Sequence, residues 1–504
     1  MKKARVLLIT PNLKGIADGV NRIQPSLGLM LIAAVLEKNG HIVKIYDAAL
    51  DGWDNRRMLN EKNKIVIIGQ SDEKISKVIS DFSPDIAAIS VLFSNLLESA
   101  HNIAKIIKKI KKNTITVLGG NHISSAVTDY NFSKKDKNSG LPNYIRDLEN
   151  NHFDYAMTGE GEFSFLEFTN KIINNEDVSK VSGLVKKTIS SKYIINPSTR
   201  VHNLDILPRP ARHLVDMEAY FKIGAFHSAK SRSNRVLSVM CSRGCPEKCT
   251  FCSTPQMWGN NIRWRSTNHI MEEVGNDVKD YKIGEIQFDD DTITVSKKNL
   301  YSLCNELEKL GLPWCTPNGT KVNYHFKKQD EMYKVMHDSG CYQITLACES
   351  GVQRVLDDII NKRLPLETIH PSIKNAKKAG MLVHTFWIVG YPGETYEEIQ
   401  QTIDFAMNSG ADSFSFAILS PLPGTPVYRK VIKENLWWEG RSLNDMLFRS
   451  SLVKVDGFSN PDEFEKFVND ANKKANLLLK AIDPKRFEYK YGKNSLDSAL
   501  VKQT

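Results

Sequence analysis

Across residues 1–165, short β-branched runs alternate with segments whose apolar positions recur at helical spacing. Val6 to Thr10 reads as a buried strand, Leu27 to Lys38 as a helix stopped by Asn39-Gly40, and Ile42 to Tyr46 as the next strand. Further strands are expected at Ile65 to Ile68, Ile86 to Ser90, Ile115 to Leu118 and Tyr155 to Met157, with helices such as Leu96 to Lys108 between them. The alternation predicts an α/β, doubly wound (Rossmann-like) parallel sheet, whose ligands sit in loops beyond the strand C-termini. Those loops are polar or glycine-rich here: Pro11 to Pro25, Ser90 to Asn95, Gly119 to His122 and Thr158 to Glu162.

Periodicity weakens over residues 166–230, where Leu207-Pro208-Arg209-Pro210 punctuates a connecting segment with some structure of its own. From 231 the beat resumes, with strands expected near Arg235 to Met240, Glu285 to Phe288, Trp314 to Cys315, Tyr342 to Ala347, Leu382 to Val389 and Ser413 to Ile418. Leu300, Leu303, Cys304, Leu307 and Leu310 form one helical stripe, and Ile270, Val274, Val278 and Tyr281 form another after the capping residues Ser266 to Asn268. Six βα units fall short of the eight in a closed barrel, so 231–430 is expected to fold as a partial (β/α)6 barrel of TIM type. Residues 431–504, rich in Lys, Asn and Leu, read as a small helical C-terminal region.

With 504 residues, 41% hydrophobic and 25% charged, the composition is that of packed globular domains and excludes a disordered, collagenous or coiled-coil chain. The longest apolar stretch, Leu27 to Leu36, is about half of the ~20 residues a membrane-spanning helix needs. The basic start leads into an apolar run that ends at Pro11, too short for a secretory signal, so a cytoplasmic protein without a membrane partner is expected. Lysine and arginine total 68 against 58 acidic residues, a net charge of +10 that favours an anionic small-molecule substrate. Nucleic acid is disfavoured, because the lysines are spread over helix exteriors with no aromatic-interleaved stripe.

The eight cysteines divide into a tight cluster, Cys241, Cys245, Cys249 and Cys252, and four dispersed through apolar segments like core thiols. Cys245-Pro-Glu-Lys-Cys249-Thr-Phe-Cys252 places three thiols at spacings of four and three in one loop just after a strand. A structural zinc wants four ligands, as does an iron-sulfur cubane that only carries electrons. Three leave one iron open to an external ligand. Cys241 would complete a closed site, but it lies in the strand-to-loop transition and reads as a packed thiol.

This CxxxCxxC loop, with Phe251 before its last cysteine, resembles the radical S-adenosylmethionine (radical SAM) enzymes, whose motif precedes a six-unit partial barrel. The resemblance implies that Cys245, Cys249 and Cys252 hold a 4Fe-4S cluster and that the methionyl amine and carboxylate of SAM chelate the open iron. It further implies that an electron from an external donor, such as flavodoxin or ferredoxin, splits SAM to a deoxyadenosyl radical that takes hydrogen from the substrate. Segments at later strand ends are similar to the family's SAM contacts: Phe251 in the loop, Asp290 within Phe288 to Asp291, Glu349-Ser350, and Gly390 in Gly390 to Thr395. Pro421 to Pro426 follows the sixth strand.

A doubly wound sheet ahead of such a barrel resembles the cobalamin-binding subgroup, the class B radical SAM methyltransferases. Ser90, Ser94, Gly119, Gly120, His122, Gly159 and Glu160 lie on loops at the sheet edge where cobalamin would rest. The first loop, Thr10-Pro11-Asn12-Leu13-Lys14-Gly15, lacks the histidine of the D-x-H-x-x-G cobalt-ligand motif, so cobalt is expected without a domain histidine. His122 reads as a loop residue near the corrin or its tail. No G-x-G-x-x-G follows the first strand, which disfavours NAD. The resemblance implies methyl transfer from SAM, through methylcobalamin, to an unactivated carbon of a small phosphonate or nucleotide-linked intermediate of antibiotic biosynthesis. Gly19 to Leu27, with Arg22, is similar to the branch acting on phosphonates. The competing readings are a cobalamin radical SAM cyclase or rearrangement enzyme without methyl transfer, and a non-catalytic cobalamin sensor or carrier. A methylthiotransferase would need a second cluster, for which the other cysteines are too scattered.

Overall fold

A computed structural model describes residues 2–17, 21–61, 64–142, 148, 152–188, 193–228 and 231–482. Gly19 and Val20 of the phosphonate-like stretch, and residues 483–504 of the C-terminal region, lie outside the described residues. No helix among those described is long and apolar enough to cross a membrane.

Five parallel strands build the first domain: β1 (Arg5–Thr10), β3 (Ile42–Asp47), β6 (Ile86–Ser90), β7 (Ile115–Gly119) and β8 (Tyr155–Met157). The order β3-β1-β6-β7-β8 reverses at β1 and β6, so the crevice for a ligand opens at their C-terminal ends. Leu7 and Ile9 pack with Ile103 and Ile107 on one face, while Val6 and Leu8 pack with Leu29 and Phe168 on the other. Burial on both faces is why these strands read as continuous apolar runs.

Two features differ from the expected layout. Ile65–Ile68 is a strand (β5), but it pairs antiparallel with β2 (Leu13–Ile16) and β4 (Arg56–Asn60) in a separate three-stranded sheet. Only four residues separate β4 from β5, and a parallel crossover needs about a dozen. Residues 166–230 also contribute to the first sheet, through the antiparallel strands β9 (Leu184–Lys187) and β10 (Tyr193–Ile195) beyond β8.

The second domain is a six-stranded parallel sheet in the order β11 (Val236–Val239), β14 (Glu285–Phe288), β15 (Trp314–Lys321), β16 (Cys341–Glu349), β17 (Leu382–Val389) and β18 (Ser413–Ile418). Strands β11 and β18 do not pair with each other, so the barrel stays open. The helix Pro461–Ile482 closes the free edge of β18: the buried Asn472 amide accepts from Phe416 N at 3.0 Å and donates to Phe416 O at 2.9 Å. Strand β15 runs six residues past the expected Cys315, through a register shift between Thr316 and Thr320, which brings Asn318, Gly319 and Lys321 to the mouth.

Candidate cluster and cofactor sites

After β11 the chain folds back as a short antiparallel pair, β12 (Ser242–Arg243) with β13 (Arg263–Trp264), and the cysteine loop hangs between them. Gly244 sits at φ +103°, and a Cβ there would lie 2.5 Å from the Asn261 carbonyl oxygen, so only glycine lets the loop close. The loop is bonded to the barrel at Thr250, whose N–H donates to Ile360 O at 2.9 Å and whose hydroxyl donates to Ile359 O at 2.7 Å. Glu247, between the first two cysteines, is held by Lys321 at 2.7 Å and by the Tyr324 hydroxyl at 2.8 Å.

Cys245, Cys249 and Cys252 line one cavity of about 260 Å³ at the C-terminal mouth of the barrel. Cys241 is fully buried, does not line that space, and packs as a core thiol. Burial pushes the Cys245 thiol up to about 12 and Cys249 up to about 11, and raises Cys252 as well. The thiols are therefore protonated at neutral pH without metal, and binding iron must release their protons. Among the described residues no group of three His, Cys, Asp or Glu is arranged to hold a single metal ion. Three thiols spread around an open space instead suit a cluster that takes one cysteine per iron, and the donor set is all sulfur, as iron-sulfur ligation requires.

Of the expected SAM contacts, Phe251 and Glu349 line the cavity. Glu349 closes β16 with φ +67°, a left-handed conformation that is strained for a side chain of this size. Its carboxylate accepts from buried Lys362 at 2.9 Å. Burial opposes the Lys362 charge, but Glu349 and then Cys249 outweigh it and hold the ammonium above its ordinary range. Asp290 faces away: its carboxylate takes Cys241 N at 3.0 Å and Ser242 N at 2.6 Å, bracing the strand-to-loop turn. Its neighbour Asp291 lines the cavity instead and accepts from the Thr254 hydroxyl at 2.9 Å. Ser350 is buried against Thr402 and caps Val352 N. Gly390 packs under the terminal helix, where a Cβ would lie 2.7 Å from the Phe464 ring. Neither lines the cavity. Lys362, Asn318 and Thr292 do line it and were not anticipated. The Thr292 hydroxyl is buried with no partner, a polar atom suited to a polar ligand such as SAM.

At the edge of the first sheet, Ser90, Ser94, Gly119, Gly120 and His122 come together beyond β6 and β7. The Ser94 hydroxyl and His122 Nδ1 are 2.9 Å apart, and His122 N donates to Val91 O at 3.1 Å. Gly120, at φ +100°, brings the backbone so close to Val91 that a Cβ would lie 2.4 Å from its oxygen. Gly119 differs: a Cβ there would meet nothing nearer than 4.0 Å, so this glycine keeps open the space where a corrin could lie against the strand end. Asn12 stands where the cobalt-ligand motif has histidine, and its amide is locked to Gln70 through bonds of 2.9 and 3.0 Å to the backbone. Gly159 N donates to the Ser124 hydroxyl at 3.0 Å. Glu160 turns away from the edge: buried, it bonds Arg243 at 2.9 Å and Arg263 at 2.5 Å, while Glu162 takes the other Arg243 nitrogen at 2.5 Å. Its place on an edge loop is thus occupied by a strut to the cysteine loop. A second tie joins Asn121 Nδ2 to the Ser253 hydroxyl at 3.1 Å.

The B12 binding domain family matches residues 13–135 and the radical SAM superfamily matches residues 239–406. Cytidylyl-2-hydroxyethylphosphonate methyltransferase of Streptomyces wedmorensis is 32% identical over 94% of this chain and 90% of its own. An uncharacterized methyltransferase of Pyrococcus horikoshii is 30% identical over 86% of this chain and 85% of its own. In fold, the chain is similar to the cobalamin-dependent S-adenosylmethionine radical enzyme OxsB, with a TM-score of 0.68 at 13% identity over 97% of this chain and 72% of that one. The chain therefore belongs to the cobalamin-dependent radical SAM methyltransferases, a B12-binding domain followed by a radical SAM domain, whose cofactors are a 4Fe-4S cluster, S-adenosylmethionine and cobalamin.

Proposed function

We propose that the protein methylates an unactivated carbon of a small, anionic, nucleotide-linked phosphonate of antibiotic biosynthesis. The relative named for cytidylyl-2-hydroxyethylphosphonate, similar over nearly the whole of both chains, supports the substrate class. So do the net charge of +10 and the exposed Arg22, two residues before Gln24, whose amide donates to Asp289 of the second domain. The observation that carries the reading is that three thiols share one cavity while the B12-binding domain is tied to the same loop through Glu160, Glu162 and Asn121.

When bound, the cluster and cobalamin supply one-electron chemistry and a methyl carrier. The chain's own residues do the rest. Cys245, Cys249 and Cys252 would hold the cluster, and as three ligands for four irons they would leave room for SAM. Phe251, Asp291, Thr292 and the Glu349–Lys362 pair orient SAM, the pair offering charges of both signs to its carboxylate and amine. Ser90, Ser94, Gly119, Gly120 and His122 seat the corrin, with Gly159 shaping the neighbouring loop. Asn12, held by the Gln70 backbone, stands at the position where the cobalt-ligand motif has histidine and would offer cobalt no imidazole. The electron comes from an external donor of the flavodoxin or ferredoxin kind, in a reducing cytoplasm that eight free cysteines suit.

Incubation of the reconstituted protein with deuteromethyl-SAM, reductant and cytidylyl-2-hydroxyethylphosphonate tests this. The expected result is a product carrying the deuteromethyl group, formed together with 5′-deoxyadenosine. Deoxyadenosine with a rearranged or cyclised product and no mass gain would reject methyl transfer.

A further inference from the structure

Residues 443–450 lie outside both matched domain families and run between the two domains. On the barrel side, Phe448 O accepts from the N–H of Ile418, the last residue of β18, at 2.9 Å. On the first-domain side, Asn444 O accepts from Lys14 Nζ at 3.2 Å and Met446 O accepts from Asn95 Nδ2 at 2.8 Å. The Phe448 ring also meets the Phe93 ring edge-on, centroids 5.8 Å apart at 87°. Phe93, Met446, Leu452 and Val453 share one small apolar cluster. Phe93 and Asn95 belong to the loop after β6 that carries Ser94, so this segment leans on the sheet edge where a corrin would rest.

Two large apolar side chains stay out of that packing. Phe448 is 63% exposed, and Leu92, next in the chain to Phe93, is 51% exposed. Neither sits on a free loop tip: Phe448 is held by its bond to β18, and just before Leu92 the Val91 N–H donates to Gly119 O at 2.8 Å. Apolar side chains held open beside a polar edge suit a ligand with a flat apolar face. The same edge carries two buried oxygens that lack a partner among the described residues. Asn95 is 7% exposed and its Nδ2 is bonded to Met446 O, but its Oδ1 accepts nothing; nor is the hydroxyl of Thr10 paired, at the end of β1 beside β6. Unpaired buried acceptors are destabilising, so they are explained if the assembled protein brings donors to them. A corrin answers both observations: its ring has apolar faces, and its rim carries primary amides whose N–H groups donate.

Resting on cobalamin binding by the first domain, we propose that Phe448 and Leu92 form an apolar platform for the corrin ring, with Asn95 Oδ1 accepting from a rim amide. The C-terminal region is then a contributor to the corrin site rather than a cap on the barrel alone. Its segment 443–450 joins the barrel mouth to the sheet edge at the place where the ring is held.

Both side chains are exposed, so F448S and L92S isolate the contact from the fold. Full-length wild type, F448S, L92S and F448W are reconstituted with iron and sulfide but no corrinoid, and their unfolding temperatures and iron contents are compared. Each is then brought to equilibrium with hydroxocobalamin by dialysis. The expected result is equal unfolding and iron content in all four, with affinity for hydroxocobalamin about tenfold weaker in each serine variant and kept in F448W. Limited trypsin digestion gives a second readout: hydroxocobalamin should slow cleavage after Arg449, which is exposed next to Phe448, in the wild type. Equal affinity in the wild type and both serine variants, or cleavage at Arg449 that hydroxocobalamin does not slow, would overturn the assignment. So would weaker binding of cytidylyl-2-hydroxyethylphosphonate with the affinity for hydroxocobalamin unchanged. Failure of the wild type to bind any corrinoid would instead overturn the cobalamin reading on which the assignment rests.

Discussion

Glu394 holds two backbone amides on one carboxylate oxygen and leaves the other buried and unpaired. Burial pushes its carboxyl up to about 7, against the pull of the Tyr391 and Gly390 amides. The native state therefore keeps a proton that the unfolded chain releases above its ordinary value of 4.5. The stability this contributes is complete below about 4.5, is lost as pH rises through about 7, and is flat beyond. E394Q preserves the acceptor and cannot ionise. Its thermal unfolding midpoint should fall less than that of the wild type between pH 5 and pH 8, the difference corresponding to at most about 3 kcal/mol; parallel profiles would contradict this. Residues differ in how far the sequence exposes their role. That Cys245, Cys249 and Cys252 face one cavity was legible, because a loop brings near neighbours together whatever the fold does. Lys362 was not, because it reaches Cys249 only through a turn more than a hundred residues later. Asp290 and Glu160 sit in the anticipated loops, but spacing does not say which way a side chain points, and both turn inward to satisfy buried donors.

Among the elements, the strands were legible to within a residue or two wherever an apolar run was bounded by turn residues, as at Ile86 to Ser90 and Ser413 to Ile418. Partnership was less so. Ile65 to Ile68 has the run of a central strand, yet the short return from β4 makes it a hairpin arm. The far end of β15 was hidden because Pro317 and Gly319, ordinarily strand breakers, sit in its register shift. The helix Pro461–Ile482 falls in the expected small helical C-terminal region, and Asn472 makes it the seal of an open sheet edge, which periodicity did not show. N472L removes both bonds to Phe416 and leaves two buried backbone groups unpaired, at about 1–3 kcal/mol each. The expected outcome is faster proteolysis of the C-terminal helix and a lower unfolding temperature at full cysteine-loop occupancy by iron. Unchanged proteolysis would show that the helix is held by its apolar face alone.

Across the whole molecule, the cysteine loop lies where the two domains meet. The first-domain loop Thr158 to Glu162 clamps its entry and exit, β12 and β13, with a buried cluster of two carboxylates and two guanidinium groups. Such a cluster tolerates removal of no single member, because each loss strands a buried charge. The clamp ties the first-domain edge to the cysteine loop, as would be needed for SAM held at the loop and a corrin held at the edge to serve one substrate. The sequence announced both domains through their periodicities and the cysteine spacing, but not this clamp, whose members lie some eighty to one hundred residues apart. A single chain is proposed to hold an open-sited cluster and a corrin together. Anaerobic reconstitution with iron, sulfide and hydroxocobalamin, followed by metal and corrinoid analysis of the purified protein, tests it most directly. Four irons and one corrinoid per chain, with the iron lost in the Cys245, Cys249 and Cys252 to alanine variant and the corrinoid retained, is the result predicted. One zinc and no corrinoid would contradict it.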